Sequence, residues 1–593
     1  MLGAEARSVV TTMVRTVRLS WSAADRSVRL ALILGLSSVF ASSVLTALAP
    51  VALSALVDSL SPRLATFSNS VSFALLAAYV GTISVSRALT EVRANIYGRA
   101  QQRLSCHIST RVFSHLIQLP IRYHHDHNPG MLSQNVVNGL SGIRLISLHI
   151  GNTLLPLLIE SFIVLIVVLT VKSNVLLLLL LATSALYAFI YARGSKSMLK
   201  PARGVTSASA DAAKALTEGI LNYETVKSFN AEPLVRQRFQ NAQEEADYFW
   251  GQLYQNRITM SLSATAVFSV SIALALGWST YGVSTGRVSL GEFVLINAYM
   301  LRLSTPLEFL GAAIRDITEG SAYVQRLFRI LDADMENAKG VTACETSNNA
   351  TLEFRNVTFG YTESREVLKN ISFSMPPGKT VAIVGPSGSG KSTIVKLLLR
   401  LYEPTSGDII LDGTEISKLS LTSLRNSIST VPQETILFND TIANNITLGR
   451  SFDQHDIELA ARTADISSTI LSWPDGYATL VGERGLKLSG GERQRIAIAR
   501  SVIKKPRLFI FDEATSSLDS HTEWSILAQL AQVANRTTTL VIAHRLATIA
   551  HADAILVLVN GEIVEQGTHA ELVARDGPYS SLWWAQHRVA VQA

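Results

Sequence analysis

The chain has 593 residues, of which 48% are apolar and only 17% are charged, and its formal net charge is +6. An ordinary soluble domain carries about 25% charged residues, so this composition favours a membrane protein and excludes a disordered chain. Cys106 and Cys344 lie far apart without metal-type spacing, which excludes a disulfide scaffold and predicts free thiols in a reducing compartment. The excess of basic residues is compatible with nucleic-acid binding, but the positions of these residues along the chain indicate whether they serve that function.

Six long apolar stretches occupy the first half of the chain. Each is near or above the roughly 20 residues that a helix needs to cross about 30 Å of hydrocarbon. A single stretch is compatible with a buried core helix, but six in succession predict six transmembrane helices. The predicted spans are 30–57, 71–89, 145–171, 175–191, 262–283 and 293–310.

Arginine and lysine indicate the orientation of the spans, because cytoplasmic flanks collect them. They are abundant before the first span and in the connections after spans two and four, whereas the opposite connections carry only Arg63, Lys172 and Arg287. Both termini are therefore predicted to be cytoplasmic, and we expect the lipid bilayer, not nucleic acid, as a partner. The short segment before the first span favours a bacterial inner membrane. Its arginine-rich first 29 residues leave a transit peptide and the mitochondrial inner membrane as the alternative.

The chain divides into two parts. The long cytoplasmic connections alternate apolar and charged positions, which predicts helices that continue beyond the bilayer. After the last span a polar segment follows, and then short apolar runs alternate with glycine-rich turns and helical patterns. We expect an α-helical membrane domain at 1–331, a linker at 332–350 and an α/β domain at 351–593.

A glycine-rich loop is the first motif in the second domain that indicates a chemical function. The buried-strand pattern at 380–384 is followed by Gly385-Pro-Ser-Gly-Ser-Gly-Lys-Ser-Thr393 and an apolar helix, which is the context of a phosphate-binding loop. There, backbone amides converge on the phosphates, a lysine reaches the β and γ oxygens, and a serine hydroxyl ligates Mg²⁺. The residues predicted to bind ATP are Gly385, Ser387, Gly388, Ser389, Gly390, Lys391, Ser392 and Thr393.

A second apolar strand, at 508–511, ends in Asp512 and Glu513, which places one carboxylate to hold a metal and the next to polarise a water. Between the two motifs lies Leu488-Ser-Gly-Gly-Glu-Arg-Gln494. With this run, residues 351–588 resemble an ATP-binding cassette (ABC) ATPase, with every motif in order. The resemblance implies a P-loop α/β fold that uses ATP and Mg²⁺.

The resemblance also implies roles for single residues. Tyr361 matches the aromatic residue that stacks on adenine, and Asp519 matches the acid of the loop after the catalytic glutamate. Gln433 matches the glutamine that senses the γ-phosphate and the metal, and His544 matches the histidine that contacts the γ-phosphate. The implied catalytic residues are Glu513, His544 and Gln433, and the implied Mg²⁺ ligands are Ser392, Gln433 and Asp512.

The signature run implies dimerisation. In the family, the residues that match Ser489, Gly490, Gly491 and Glu492 close over the nucleotide held by the lysine of another cassette. One cassette per chain therefore cannot complete a site. Because neither Glu513 nor His544 is substituted, we expect a homodimer with two hydrolytic sites. A heterodimer with a degenerate partner is the alternative.

Six spans ahead of one cassette resemble the half-transporters of subfamily B, with the type IV exporter fold. Runs at 221–232, 291–300 and 306–311 are similar to the ABC transporters of mitochondria, the heavy-metal tolerance family and their bacterial relatives. Those proteins export glutathione and its conjugates, support cytosolic iron–sulfur assembly and contribute to heavy-metal tolerance. The resemblance implies ATP-driven export, by alternating access, of glutathione-related compounds or other small peptides and amphiphiles.

Several polar residues depart from the family where substrate is bound. Gln134 and Asn138 stand at the positions of a basic pair, and Glu308 stands at the position of an asparagine. Fewer cations and an added carboxylate disfavour an anionic peptide, so a multidrug, lipid or peptide exporter with neutral or cationic cargo is the alternative. Polar residues inside the spans favour transport over a membrane-tethered regulatory ATPase. The candidate substrate residues are Gln134, Asn138, Glu160, Asn297 and Glu308.

The run His124-His-Asp-His127 carries side chains that suit zinc or nickel. Neighbouring residues rarely direct their side chains at one ion. The interpretation that we prefer is the cytoplasmic loop that, in the family, docks on the cassette.

Overall fold

The computed structural model describes residues 2–60, 69–127, 129–170, 174–342, 349–362, 364–482, 485, 487–512, 537–543 and 546–592. The chain forms two compact units. The first, here called the membrane unit, comprises Met1–Leu119 and Tyr123–Met335, and the second, the cassette unit, comprises Glu336–Ala593 with Pro120–Arg122.

The described part of the membrane unit consists of helices joined by short loops. The helices are α1 (Leu2–Ala23), α2 (Arg26–Ser59), α3 (Asn69–Ile117), α4 (Ile121–Asp126), α5 (Pro129–His149), α6 (Leu155–Thr170), α7 (Asn174–Leu221), α8 (Tyr223–Ser228), α9 (Glu232–Ser284) and α10 (Leu290–Leu331), with a π-helical turn at Ile150–Leu154 between α5 and α6. The first two residues of α4, Ile121 and Arg122, are grouped with the cassette unit.

Five of these helical segments contain an apolar window long enough to cross a membrane, and α10 contains the sixth predicted span, interrupted by Arg302 and Glu308. The 53 residues of α9 rise about 80 Å at 1.5 Å per residue, well beyond the roughly 30 Å of a hydrocarbon core. The prediction that the helices continue outside the bilayer is therefore confirmed.

Two close approaches hold the membrane helices together. A Cβ on Gly142 of α5 would lie 2.5 Å from the carbonyl oxygen of Gly320 on α10, so the two backbones meet where neither residue has a side chain. At the far end of the first span, Asp58 of α2 accepts hydrogen bonds from the Ser289 hydroxyl (2.9 Å) and the Gly291 amide (2.8 Å) at the start of α10. Small residues and one carboxylate thus fix α10 against α5 and α2.

The described part of the cassette unit contains two sheets. Their strands are β1 (Leu352–Phe359), β2 (Leu368–Met375), β3 (Thr380–Val384), β4 (Ser406–Leu411), β5 (Thr414–Glu415), β6 (Ile428–Val431), β7 (Leu508–Asp512), β8 (Thr538–Ile542), β9 (Ala554–Val559) and β10 (Glu562–Gly567). A four-stranded antiparallel sheet has the order β2-β1-β4-β5, and a six-stranded sheet has the order β10-β9-β3-β8-β7-β6. In the larger sheet β9, β3, β8, β7 and β6 are parallel, and β10 is antiparallel to β9.

Helices cover these sheets on apolar faces. One apolar core lies between the two sheets and α11 (Lys391–Leu398) and includes Phe354, Ile394 and Leu508. In a second core, α13 (Ile442–Thr447), α14 (Gln454–Thr463) and α16 (Gly490–Ile503) pack on β6 and β7. The described helices are α11 (Lys391–Leu398), α12 (Leu421–Ser427), α13 (Ile442–Thr447), α14 (Gln454–Thr463), α15 (Ser467–Ser472), α16 (Gly490–Ile503), α17 (His569–Ala574) and α18 (Pro578–Gln592).

Much of the predicted linker packs on the cassette. Glu336 forms a forked ion pair with Arg425, at 2.9 and 3.1 Å. The Val341 amide donates to the Lys418 carbonyl (2.8 Å), and the Ala350 amide donates to the Arg507 carbonyl (3.2 Å). The boundary between the compact units, after Met335, falls inside the predicted linker 332–350.

Candidate nucleotide site and polar residues of the membrane helices

The phosphate-binding loop has the predicted strand, loop and helix context. β3 is buried at four of its five residues and leads through the loop to α11, which begins at Lys391. Gly385 and Gly390 have φ of +155° and +107°, and a Cβ on Gly385 would lie 2.0 Å from the Leu558 carbonyl oxygen. The backbone path therefore requires glycine, which lets the amides before α11 converge at a helix N-terminus that favours anions.

The side chains of the loop are held in place. Lys391 is buried, and its Nζ donates to the carbonyls of Gly385 and Pro386, each at 3.0 Å. The Ser392 hydroxyl lies 3.4 Å from an oxygen of Asp512, at the end of β7. A hydroxyl and a carboxylate oxygen at this separation suit Mg²⁺, so these residues fit the expected ion.

Gln433 lies at the same edge of the sheet. It follows β6, which pairs in parallel with β7, and the register places Val431 opposite Phe511. Asp512 is the last residue of β7 and Gln433 lies two residues beyond β6, so both lie at the carboxyl ends of neighbouring parallel strands. Glu513, Asp519 and His544 lie outside the described residues.

Tyr361 lies close to the start of α11. Its hydroxyl is 3.2 Å from the Thr393 hydroxyl, and its ring makes edge contacts with Phe359 and Tyr402 at centroid distances of 5.0 and 5.1 Å. The Lys396 ammonium lies 5.3 Å from the ring centroid. Because the side chain remains partly exposed beside the phosphate-binding loop, its position fits the expected contact with adenine.

The signature residues form the N-terminus of α16. The Ser489 hydroxyl accepts a hydrogen bond from the Glu492 amide (3.3 Å), and the Glu492 carboxylate accepts one from the Ser489 amide (2.7 Å). This capping box satisfies two backbone donors of α16. Gly490 and Gly491 follow directly, so the expected nucleotide-binding residues Ser489, Gly490, Gly491 and Glu492 share one helix start.

Gln494 was not assigned a role from the sequence. It is 3% exposed, its amide donates to the Pro432 carbonyl (3.3 Å), and it accepts from the Thr435 hydroxyl (3.1 Å). It therefore joins the signature helix to the Pro432 backbone and to the Thr435 side chain, on either side of Gln433. The quoted signature run contained Gln494, but no local pattern indicates a partner some sixty residues earlier in the chain.

Two half-buried cations lie at the end of α16, Arg500 in its last turn and Lys504 directly after it. Arg500 donates from Nε to the Asn445 carbonyl (2.8 Å), and burial lowers the pKa of its guanidinium. Lys504 donates to the carbonyls of Arg425 and Ile428. Burial, with a smaller contribution from Arg450, lowers the pKa of Lys504 to about 8.

The candidate substrate residues fall on three helices. Gln134 donates to Asn138 across one turn of α5 (2.9 Å), so these two amides contact each other. Glu160 lies on α6 and Asn297 on α10, both half-buried. Glu308 belongs to α10, but its side chain lies outside the described part.

Arg302 is a cation in the sixth predicted span that the sequence analysis did not single out. It donates to the Thr46 carbonyl on α2 and interacts electrostatically with Glu160 on α6. Arg302 therefore adds a cation to the region of the candidate substrate residues, within electrostatic reach of Glu160. A lone arginine inside an apolar span was the available signal.

His149 and Asp316 form a second polar contact between membrane helices. His149 Nε2 lies 3.0 Å from the Asp316 carboxylate, and the two side chains are 12% and 22% exposed. The contact joins α5 to α10 just before the π-helical turn that contains Asn152. Such turns are frequent at functional sites.

Two histidines of the run at the end of α4 contact backbone carbonyls. His124 Nε2 contacts the Leu116 carbonyl (3.1 Å), and His127 Nδ1 contacts the Tyr123 carbonyl (2.9 Å). Among the residues that the structure describes, no group of three potential ligands converges.

Comparison with known proteins matches both units. The ABC transporter family matches residues 368–516, and the ABC transporter transmembrane region matches residues 32–307. An ATM1-type heavy metal exporter of Novosphingobium aromaticivorans is 37% identical over 500 residues, 83% of this chain and 81% of the relative. The structure of a bacterial Atm1-family ABC exporter with ATP bound has a TM-score of 0.85 and 34% identity, covering 94% of this chain and 99% of the other.

A vertebrate relative is longer than this chain. ATP-binding cassette sub-family B member 6 of Xenopus tropicalis is 38% identical over 503 residues, 84% of this chain but only 59% of the relative. The match therefore spans less than two thirds of that protein.

These findings define an ABC transporter: a multi-pass membrane protein with an ATPase cassette that binds and hydrolyses ATP. The chain belongs to the ATM1-type exporters within that family, as a half-transporter with one membrane region and one cassette.

Proposed function

We propose that the chain works as a homodimer that exports small peptides or amphiphiles carrying both a positive and a negative group, glutathione-related compounds among them. The observation that carries this proposal is the electrostatic interaction between Arg302 on α10 and Glu160 on α6, a basic and an acidic residue within apolar spans. Charges are expensive inside a membrane, and they mark substrate pathways by default. A cation beside a carboxylate can pair with both ends of a zwitterion.

The cassette residues support a composite ATP site. Lys391 and the loop amides bind the phosphates, and Tyr361 contacts adenine. Ser489, Gly490, Gly491 and Glu492 of the second copy close over the nucleotide, aided by Asp519. Glu513 orients the attacking water, while His544 contacts the γ-phosphate. A Mg²⁺ ion held by Ser392, Gln433 and Asp512 would neutralise charge on the phosphates.

Closure of the two cassettes on ATP then turns the membrane helices from a cytoplasm-facing to an outward-facing form, because ATP binds the closed form more tightly. The proposed division is a membrane domain at 1–331, a linker at 332–350 and a cassette at 351–593. We place the protein in a bacterial inner membrane with both termini cytoplasmic. The mitochondrial inner membrane is the alternative, and fractionation of the source cells distinguishes them.

A second candidate cargo is a neutral or cationic amphiphile. The pair of Gln134 and Asn138, which places amides where the family resemblance implies cations, favours it. A purely regulatory ATPase is the remaining alternative, and it predicts no stimulation by any cargo.

The test is ATPase activity of the purified protein in lipid nanodiscs, with Glu513→Gln as the blank. Oxidised glutathione should stimulate the wild type, and Arg302→Gln should raise the half-maximal concentration by about tenfold, the loss of one charge-assisted contact. Arg287→Gln, outside the predicted spans, is the matched control. Stimulation by cationic amphiphiles alone would contradict the zwitterionic cargo.

A further inference from the structure

The linker contacts both ends of α12 (Leu421–Ser427), a short helix of the cassette unit. The Glu336 carboxylate forms its forked ion pair with Arg425, which lies in the last turn of α12. These two side chains are only 19% and 34% exposed. At the start of α12, the Val341 carbonyl accepts a hydrogen bond from the amide of the N-cap residue Ser420 (2.9 Å).

Backbone contacts hold the linker close to the start of α12. The Val341 amide donates to the Lys418 carbonyl (2.8 Å), and Val341 forms a parallel bridge with Leu419. A Cβ on Gly340 would lie 2.5 Å from the carbonyl carbon of Leu419, so this approach requires glycine. Because it is fixed at two points, we expect α12 to move together with the linker.

The Arg425 guanidinium also binds the end of α11. Its Nε donates to the Leu399 carbonyl (3.2 Å), and its Nη2 donates to the Arg400 carbonyl (3.4 Å). The last carbonyls of a helix lack partners within the helix, and they favour a cation. Arg425 therefore contacts the C-terminal end of the helix that carries the phosphate-binding loop at its N-terminal end.

The signature helix, α16, is joined to α12 as well. Lys504, the C-cap residue of α16, donates to the carbonyls of Arg425 and Ile428. The signature run begins at the opposite end of α16. The two helices that start with ATP motifs, α11 and α16, thus both end on α12.

We propose that Arg425 is a positioning residue for ATP hydrolysis, which the linker holds in place through Glu336. The rate of hydrolysis depends on the orientation of the groups around ATP, and α11 and α16 carry two of these groups at their starts. Glu336 follows Leu331, the last residue of α10, by five positions, so the linker connects α10 to α12 along the chain. Arg425 therefore links the end of the membrane unit's last helix to the arrangement of both ATP motifs.

ATPase activity of the full-length protein in lipid nanodiscs tests this proposal. It is measured without cargo, so the result does not depend on the cargo proposed above. In Glu336→Gln, kcat should fall by about three- to tenfold through loss of one charge-assisted contact. The KM for ATP should stay within about twofold, because Lys391 and the loop amides are unchanged. Asp456→Asn, which removes an ion pair with Lys505 (3.2 Å) just after α16, is the matched control and should keep both values.

Conservative variants separate positioning from stability. Glu336→Asp keeps the charge and should recover part of the lost kcat, whereas Arg425→Lys loses the fork and should lower kcat at least as much as Glu336→Gln. A wild-type kcat in Glu336→Gln or Arg425→Lys would overturn the proposal, even with a lower melting temperature, because the ion pair would then only stabilise the fold. An equal fall of kcat in Asp456→Asn would also overturn it, since the loss of any ion pair would then suffice.

Discussion

Gln494 offers a quantitative test of how the signature helix is joined to the segment around Gln433. Replacing it with leucine keeps a similar volume and removes two hydrogen bonds, to Pro432 and Thr435, from a site that is 3% exposed. At a net 0.5–1.5 kcal/mol for each bond, the segment should lose about 2 kcal/mol of local stability. A free-energy change of that size corresponds to roughly thirtyfold faster amide exchange through local opening.

Hydrogen exchange of the full-length protein, read on the peptides that cover 431–447, measures this directly. ATPase assays on the same samples should show a lower kcat with a smaller change in KM for ATP, because the phosphate-binding loop remains intact. Gln454→Leu is the control, since Gln454 is exposed and bonds only to the neighbouring Glu458 in the described structure. Unchanged exchange and unchanged kcat in the Gln494 variant would refute the reasoning.

Three other substitutions have matched partners in the chain. Ser489→Ala and Thr568→Ala each break a capping box, so each should lower the free energy of unfolding by about 1 kcal/mol. Only Ser489→Ala should abolish ATPase activity, and equal activity of the two variants would contradict the contact of Ser489 with the nucleotide. Gly142→Ala should lower the melting temperature in detergent through a clash of about 1–3 kcal/mol with Gly320, whereas Gly98→Ala, with open space around it, should not. Because burial lowers the pKa of Lys504 to about 8, the unfolded chain binds more protons than the folded one between about pH 8 and 10.5, so stability rises with pH there. The melting temperature should therefore rise with pH in this range for the wild type and for Lys505→Met, but not for Lys504→Met. A rise that persists in Lys504→Met would show that Lys504 is not its cause.

Much of the fold could be predicted from local patterns. The glycines of the phosphate-binding loop, the capping residues of α16 and the long apolar stretches each act on a few neighbouring residues, so their sequence spacing predicts their structure. The linker was harder to predict. Its polar composition indicated a linker but no partners, and in the structure Glu336 and Val341 pack on the cassette through Arg425 and Leu419.

The sequence by itself determined the class of this protein, because the class depends on composition and on contiguous motifs. It also predicted the orientation of the spans and the residues of the ATP site. Only the tertiary structure placed Arg302 within electrostatic reach of Glu160, His149 against Asp316, and Gln494 in contact with Pro432 and Thr435. It also joined Glu336 of the linker to Arg425, and Arg425 to the end of α11. Each of these contacts joins residues far apart in the chain. Long-range contacts depend on how whole helices pack, which no local spacing specifies.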